Sequence, residues 1–139
     1  MTGRLLAVDY GDRRIGLAVS DPTRMIATPA GFILRRAGKR PPIAEIVRRG
    51  VELEAVGFVL GLPLDAEGDE TPRSTEVRAI AAEIEKRTGL VTRLVDERFT
   101  TAAALRAMRE MGTTTRGRKG DVDALAATML LRHALDLGV

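Results

Sequence analysis

Three acids in this chain stand where carboxylates can do chemistry: Asp9, Glu97 and Asp123. Asp9 closes the apolar run Leu5-Leu6-Ala7-Val8, and Gly11 follows shortly after it. Glu97 comes directly after the run Val91–Val95 and Asp96, and Asp123 falls in the first turn of the last helical stretch. In open α/β sheets, ligands collect beyond the carboxyl ends of parallel strands, so acids delivered there by different strands can converge. A helix packed across that sheet would bring Asp123 to the same spot. Three carboxylates meeting at one point repel, and burying them is costly unless a counter-charge joins them. A divalent cation removes the conflict. Donors that are oxygens only, with no cysteine and a single histidine, favour Mg2+ or Mn2+ over zinc. Two such ions about 3.5–4 Å apart can activate a water and stabilise the leaving oxygen of a phosphodiester, with no protein nucleophile required.

Any one of these acids alone is more often a solvated turn residue or a helix cap. Asp121 reads as the N-cap of the last helix, and its i, i+2 spacing to Asp123 puts the two on different helix faces. Asp65, Glu67, Asp69 and Glu70 read as a solvated loop. His133 stands alone near the end of the sequence, and Ser20 and Ser74 have no histidine nearby in the chain, which gives a serine-hydrolase reading little support.

The elements that must position the acids follow from periodicity. Arg4–Asp9 and Ile15–Ser20 are apolar and β-prone about the turn Tyr10–Arg14, a hairpin pattern. Met25–Leu34 reads as an irregular third strand, and Pro29 within it argues for an edge or a bulge. Pro41-Pro42 opens a helix in which Ile43, Ile46, Val47, Val51 and Leu53 can share a face. Ala55–Leu60 is a near-continuous apolar run, the pattern of a strand buried on both sides, and Gly61-Leu62-Pro63-Leu64 ends it. Thr71-Pro72 opens a second helix with the stripe Val77, Ile80, Ala81, Ile84, and Gly89 closes it. The strand Val91–Val95 precedes a helix from Thr100 to Met111, with Thr100 or Thr101 as its cap. Then come a Gly-, Thr- and Arg-rich loop (Gly112–Gly120) and a last helix to about Leu137, with Leu125, Met129, Leu130 and Ala134 facing inward. Three strands followed by alternating helices and strands predict an α/β domain spanning 1–139. Its core is a mixed five-stranded sheet, the first three strands an antiparallel meander, flanked by helices.

Composition bounds the function. The chain has 139 residues, enough for one domain, and is 45% hydrophobic, as globular proteins are. Without cysteine there is no disulfide scaffold, thiol nucleophile or thiolate zinc site, and the pattern fits a reducing cytoplasm. No apolar run approaches the roughly 20 residues of a membrane span, and the leading apolar stretch, ending at Asp9, is too short for a signal peptide. The net charge of +3 allows a polyanionic partner without demanding one. Arg35, Arg36, Lys39 and Arg40 form one basic cluster, and Arg116, Arg118 and Lys119 another. With one tyrosine and three phenylalanines, a single-strand binder built on stacked aromatics is disfavoured.

The chain resembles the YqgF family, also called RuvX, over nearly its whole length. The resemblance rests on Leu6-Ala7-Val8-Asp9-Tyr10-Gly11 with Arg14–Asp21, on Gly61-Leu62-Pro63-Leu64, on Asp96-Glu97-Arg98-Phe99-Thr100-Thr101, and on Asp123-Ala124-Leu125-Ala126-Ala127, in that order. It implies a ribonuclease H-like fold related to the RuvC resolvases and an acidic triad on Asp9, Glu97 and Asp123. It also implies a nuclease that matures the 5′ end of pre-16S ribosomal RNA, or, by the family's older name, one that cuts four-way DNA junctions. Gly11 and Arg14 would line the nucleic-acid side of the first hairpin. Arg98, Thr100 and Thr101 would sit beside Glu97, and Arg116, Arg118 and Lys119 would form a basic flap over the nucleic-acid backbone. Family members often carry asparagine where this chain has Asp65, which weakens a phosphate-gripping role for that loop.

Two other readings stay open from the sequence. A nucleic-acid-binding module that does not cut would gain nothing from three acids near phosphate. An actin-like phosphotransferase is suggested by Asp9-Tyr10-Gly11 with Gly16, but one domain of this size cannot close two around a nucleotide without a partner. A homodimer would serve a symmetric junction, and no dimer surface is legible in the sequence.

Overall fold

The computed structural model describes residues 2–35, 40–110 and 119–139. The elements run β1 (Arg4–Tyr10), β2 (Arg14–Ser20), β3 (Ala27–Leu34), α1 (Ile43–Glu52), β4 (Ala55–Leu62), α2 (Pro72–Thr88), β5 (Val91–Asp96), α3 (Thr101–Glu110) and α4 (Lys119–Asp136). This is the order that periodicity predicts. The sheet is mixed, β3-β2-β1-β4-β5, with an antiparallel meander β1–β3 and parallel β1–β4 and β4–β5 pairs. β3 is an edge strand whose register shifts opposite Gly16–Ala18, where Pro29 and Gly31 interrupt regular pairing.

Alternation along the strands sorts the side chains onto two faces. Leu6, Val8 and Tyr10 of β1 join Ile15, Leu17, Phe58 and Leu60 under α1 and α2, with Ile46, Val77, Ile80 and Ile84 closing that layer. Leu5 and Ala7 point to the other face, where Ala18, Val59 and Val95 meet Ala102 of α3 and Ala127, Leu130, Leu131 and Ala134 of α4. Alanines recur on both sides of this second face, Ala7 and Ala18 from the sheet and Ala102, Ala127 and Ala134 from the helices. α4 therefore lies so close to β2 that a Cβ on Gly16 would stand 2.0 Å from the backbone oxygen of Asp123.

This close approach corrects two expectations. Leu125 is exposed rather than inward, because the helix turns its alanines, Ala124 and Ala127 among them, to the glycine- and alanine-lined sheet. α4 also begins at Lys119, three residues earlier than a cap at Asp121 would place it, so Asp121 lies inside the first turn and is not the N-cap. A third correction concerns α1. Val51 is exposed, and Gly50 takes the buried position because the Phe58 ring fills the space where a Cβ would be. α2 follows the sequence closely. Its stripe is buried, Gly89 ends it in the left-handed conformation, and Thr71 and Ser74 form a capping box at its start. Of the expected loop Gly112–Gly120, residues 112–118 lie outside the described residues, and Lys119 and Gly120 belong to α4. Among the described residues no helix is long and apolar enough to cross a membrane.

Candidate active site

Asp9 has the same parity on β1 as Leu5 and Ala7, so it points to the α3/α4 face. Glu97 has the parity of Val95, one residue beyond β5, and points to that face too. β1 pairs with β4 through Val8 opposite Leu60, and β4 with β5 through Leu62 opposite Asp96, so both acids emerge at the same end of the sheet. Asp123 reaches that end from α4. Its backbone rests on Gly16, which is the cross-strand partner of Asp9. All three acids are buried, at 1%, 2% and 0% exposure.

Two glycines make the room. Gly16 lets α4 deliver Asp123, and Gly61 gives space to Glu97, whose carboxyl atoms would lie 2.9 Å from a Cβ there. In the sequence Gly61 reads as a strand terminator or a phosphate-binding backbone; its place is beneath a buried carboxylate. Asp65 turns its carboxylate onto its own loop, accepting from the amides of Glu67 at 3.0 Å and Asp69 at 2.9 Å.

Arg106 on α3 is the side chain that the sequence reading missed. It is 8% exposed and stands between Asp9 and Glu97. Its Nε donates to Asp9 Oδ1 at 3.0 Å, Nη2 pairs with the same oxygen, and Nη1 pairs with Glu97 Oε1. Neither Glu97 oxygen accepts a hydrogen bond of good geometry, so charge alone holds that carboxylate. The available signal was Ala102: four residues before Arg106, it puts both on the buried face of α3.

The remaining expected residues divide. Gly11 is buried in the hairpin turn, its amide donating to Arg14 O at 3.1 Å, and Arg14 is half-buried at the start of β2. Arg98 is clamped on Asp96, with Nη2 to Oδ2 at 2.8 Å; that hydrogen-bonded guanidinium holds the Asp96 carboxyl below the usual carboxylate range. Thr100 is the cap of α3. Its hydroxyl oxygen accepts from the Ala103 amide at 3.2 Å, while its O–H donates to the Glu97 carbonyl. Thr101 is exposed at the first turn of that helix. Phe99, between Arg98 and Thr100, has φ of 64°, a strained conformation for an aromatic residue, and is 87% exposed. Arg116 and Arg118 lie outside the described residues, as do Arg36 and Lys39, and Lys119 is placed only as the first residue of α4. Ser20 and Ser74 are structural, the first accepting from the Leu5 amide at 2.9 Å and the second capping α2.

Beside Glu97 a cleft of about 300 Å³ is lined by Leu62, Pro63, Leu64, Arg73, Arg98 and Arg106, among others. It is therefore a cationic hollow against a buried acid. The donor set fits a hard divalent cation: three buried carboxylates, one of them lacking hydrogen bonds. As the side chains stand, however, Arg106 fills the space between two of them, and no group of three His, Cys, Asp or Glu side chains among the described residues closes on one point.

Comparison with known proteins agrees with this architecture. A family model described as "RuvX: Holliday junction resolvase" matches residues 3–137. A Rhodobacter capsulatus protein named "Putative pre-16S rRNA nuclease" is 42% identical over 134 residues, covering 96% of this chain and 84% of its own. One of the same name from Roseiflexus is 37% identical over 134 residues, covering 96% and 94%. Among solved structures, Thermus thermophilus RuvC superposes with a TM-score of 0.59 at 11% identity, covering 97% of this chain and 96% of its own. The same protein bound to a Holliday junction gives 0.59 at 12%. At such low identity the likeness shows the fold alone, which is ribonuclease H-like.

Proposed function

Because the chain belongs to the RuvX family of Holliday junction resolvases, we propose that it is a cytoplasmic, divalent-metal-dependent nuclease that hydrolyses phosphodiesters at the 5′ end of pre-16S ribosomal RNA. The observation that carries this reading is the delivery of Asp9, Glu97 and Asp123, all buried, to one end of one sheet face, with two glycines clearing the space around them. A protein that only bound nucleic acid would gain nothing from burying three acids beside the phosphate path, since each costs desolvation energy. The relatives' name favours RNA, at about forty per cent identity over nearly the full chain.

Asp9, Glu97 and Asp123 would hold Mg2+ or Mn2+, which supplies, when bound, activation of water and neutralisation of charge at the phosphate. The chain's own groups do the rest. Arg73 and Arg98 give the cleft beside Glu97 its positive charge, and both are held by acids, Asp12 and Asp96, so their guanidinium groups are already oriented. The N-terminus of α3, with Thr100 and Thr101, presents a partial positive charge next to Glu97 and suits a backbone phosphate. Gly11 and Arg14 would border the strand path on the hairpin side, and the segment with Arg116, Arg118 and Lys119 would add non-specific backbone contacts.

Cleavage of four-way DNA is the second reading, favoured by the description of the family model. A symmetric junction would call for two copies of the chain acting together. One labelled panel separates the two: precursor ribosomal RNA ends, single-stranded RNA and four-way DNA, each with and without Mn2+. The proposal expects Mn2+-dependent cuts in precursor RNA that Asp9→Asn abolishes while leaving the domain folded. Full activity of that variant would contradict the assigned site, and cuts confined to four-way DNA would shift the substrate.

A further inference from the structure

Arg106 has no part in the scheme above, yet it contacts two of the three acids. Two carboxylates from different strands cannot be buried side by side without a counter-charge. Here the counter-charge is a guanidinium, which spans the gap by giving Nε and Nη2 to Asp9 Oδ1 and Nη1 to Glu97 Oε1. A divalent cation shared by these carboxylates would sit in the space that the guanidinium spans, so the two compete for that position. The contact to Glu97 is an ion pair without hydrogen-bond geometry, the weaker of the two anchors. Arg106 also lines the cleft of about 300 Å³ that it shares with Arg73 and Arg98. That gives the guanidinium somewhere to turn without unfolding α3.

We propose that Arg106 is a displaceable counter-ion. It holds Asp9 and Glu97 together in the metal-free protein, gives way when a divalent cation binds, and turns into the cleft, where it faces a phosphate of the nucleic-acid backbone. The inference rests on the proposed metal-dependent site insofar as the cation binds Asp9 and Glu97. Its consequence is linkage: an anion in the cleft that draws Arg106 outward tightens cation binding, and a bound cation tightens anion binding by the same factor. Metal loading would then be coupled to the arrival of substrate.

The test measures cation affinity, not catalysis. Mn2+ binding by calorimetry is compared in the wild type, Arg106→Gln and Arg106→Lys, each with and without Asp9→Asn. Removing a competing charge from between two ligands should tighten Mn2+ binding by about tenfold or more in Arg106→Gln. Arg106→Lys, which keeps the charge but cannot span both acids, should fall between, and Asp9→Asn should remove binding throughout. In wild-type protein labelled with 15N, the Arg106 Nε–H resonance should be protected from exchange before Mg2+ is added and become fast-exchanging at saturation. That arm stands even if Arg106→Gln fails to fold. Mn2+ binding through Asp9 that is no tighter in the variants, or an Nε–H resonance unmoved by saturating Mg2+, would overturn the inference and leave the nuclease proposal intact. No Mn2+ binding in any of the proteins would overturn both.

Discussion

Replacing Gly16 by alanine adds one methyl group at the point where the structure has least room. The new Cβ would stand 2.0 Å from the Asp123 carbonyl oxygen and 2.5 Å from its carbon. Ordinary contact begins near 3.4 Å, so about 1.4 Å must open between β2 and α4 to relieve the repulsion. The obstacle is backbone on both sides, so no side-chain rotation relieves it. Overpacking of this kind falls at the upper end of the usual range, about 3 kcal/mol. For a domain of this length that is a fall in Tm of about 10 °C. The functional effect is separate. Asp123 moves with its backbone, and a displacement of about 1 Å in a catalytic group costs on the order of a hundredfold in rate. Thermal denaturation followed by circular dichroism reads the first quantity, and single-turnover cleavage of the preferred substrate reads the second. A Gly16→Ala protein with the wild-type Tm and rate would show that α4 is not seated on β2 at Asp123, and the geometry of the site would fall with it.

Gly61→Ala brings a methyl group 2.9 Å from the Glu97 carboxyl, the movable end of a side chain, so stability should fall by less than about 1 kcal/mol while cleavage drops at least tenfold; a loss of stability as large as that of Gly16→Ala would refute the distinction. Tyr10 is the chain's single tyrosine, and burial pushes its phenol up to about 12 despite the Arg35 guanidinium 4.5 Å from the ring centroid. Absorbance at 295 nm should therefore titrate near pH 12 in the folded protein. Because the folded value is raised, the stability it contributes is present below the unfolded phenol's pKa of about 10 and is lost as pH rises through about 12; a titration midpoint near 10 in folded protein would refute the burial. Thr71→Ala removes the hydroxyl that accepts from the Ser74 amide at 3.0 Å and donates to Pro63 O at 2.8 Å, and should cost about 1 kcal/mol in urea denaturation; no change would refute the cap.

Much of the fold was legible because its signals are local. Apolar runs ending in Asp9 and Asp96, the Thr71-Pro72 pair that opens α2, and the glycine after it each specify an element from within a few residues. The positions of Asp9, Glu97 and Asp123 at one end of the sheet followed from strand parity and order. What could not be read was contact across elements. The rule that large apolar residues face inward put Leu125 in the core, but α4 turns Ala124, Ala127, Leu130 and Leu131 to the sheet, with its alanines in the turns near Gly16, where the helix lies closest. Gly50 drew no reading from the sequence, because the Phe58 ring that occupies the space beside it comes from another element. Arg106 drew no reading from the sequence, because the acids that it pairs with lie 97 and 9 positions away in the chain.

The most direct measurement of the central claim is a crystal structure of the wild-type protein soaked in Mn2+, with the anomalous signal of manganese located. The account predicts an anomalous peak within about 2.1 Å of carboxylate oxygens of Asp9, Glu97 and Asp123, with the Arg106 guanidinium withdrawn into the cleft beside Arg73 and Arg98. Manganese bound elsewhere, with Arg106 still lodged between Asp9 and Glu97, would contradict it.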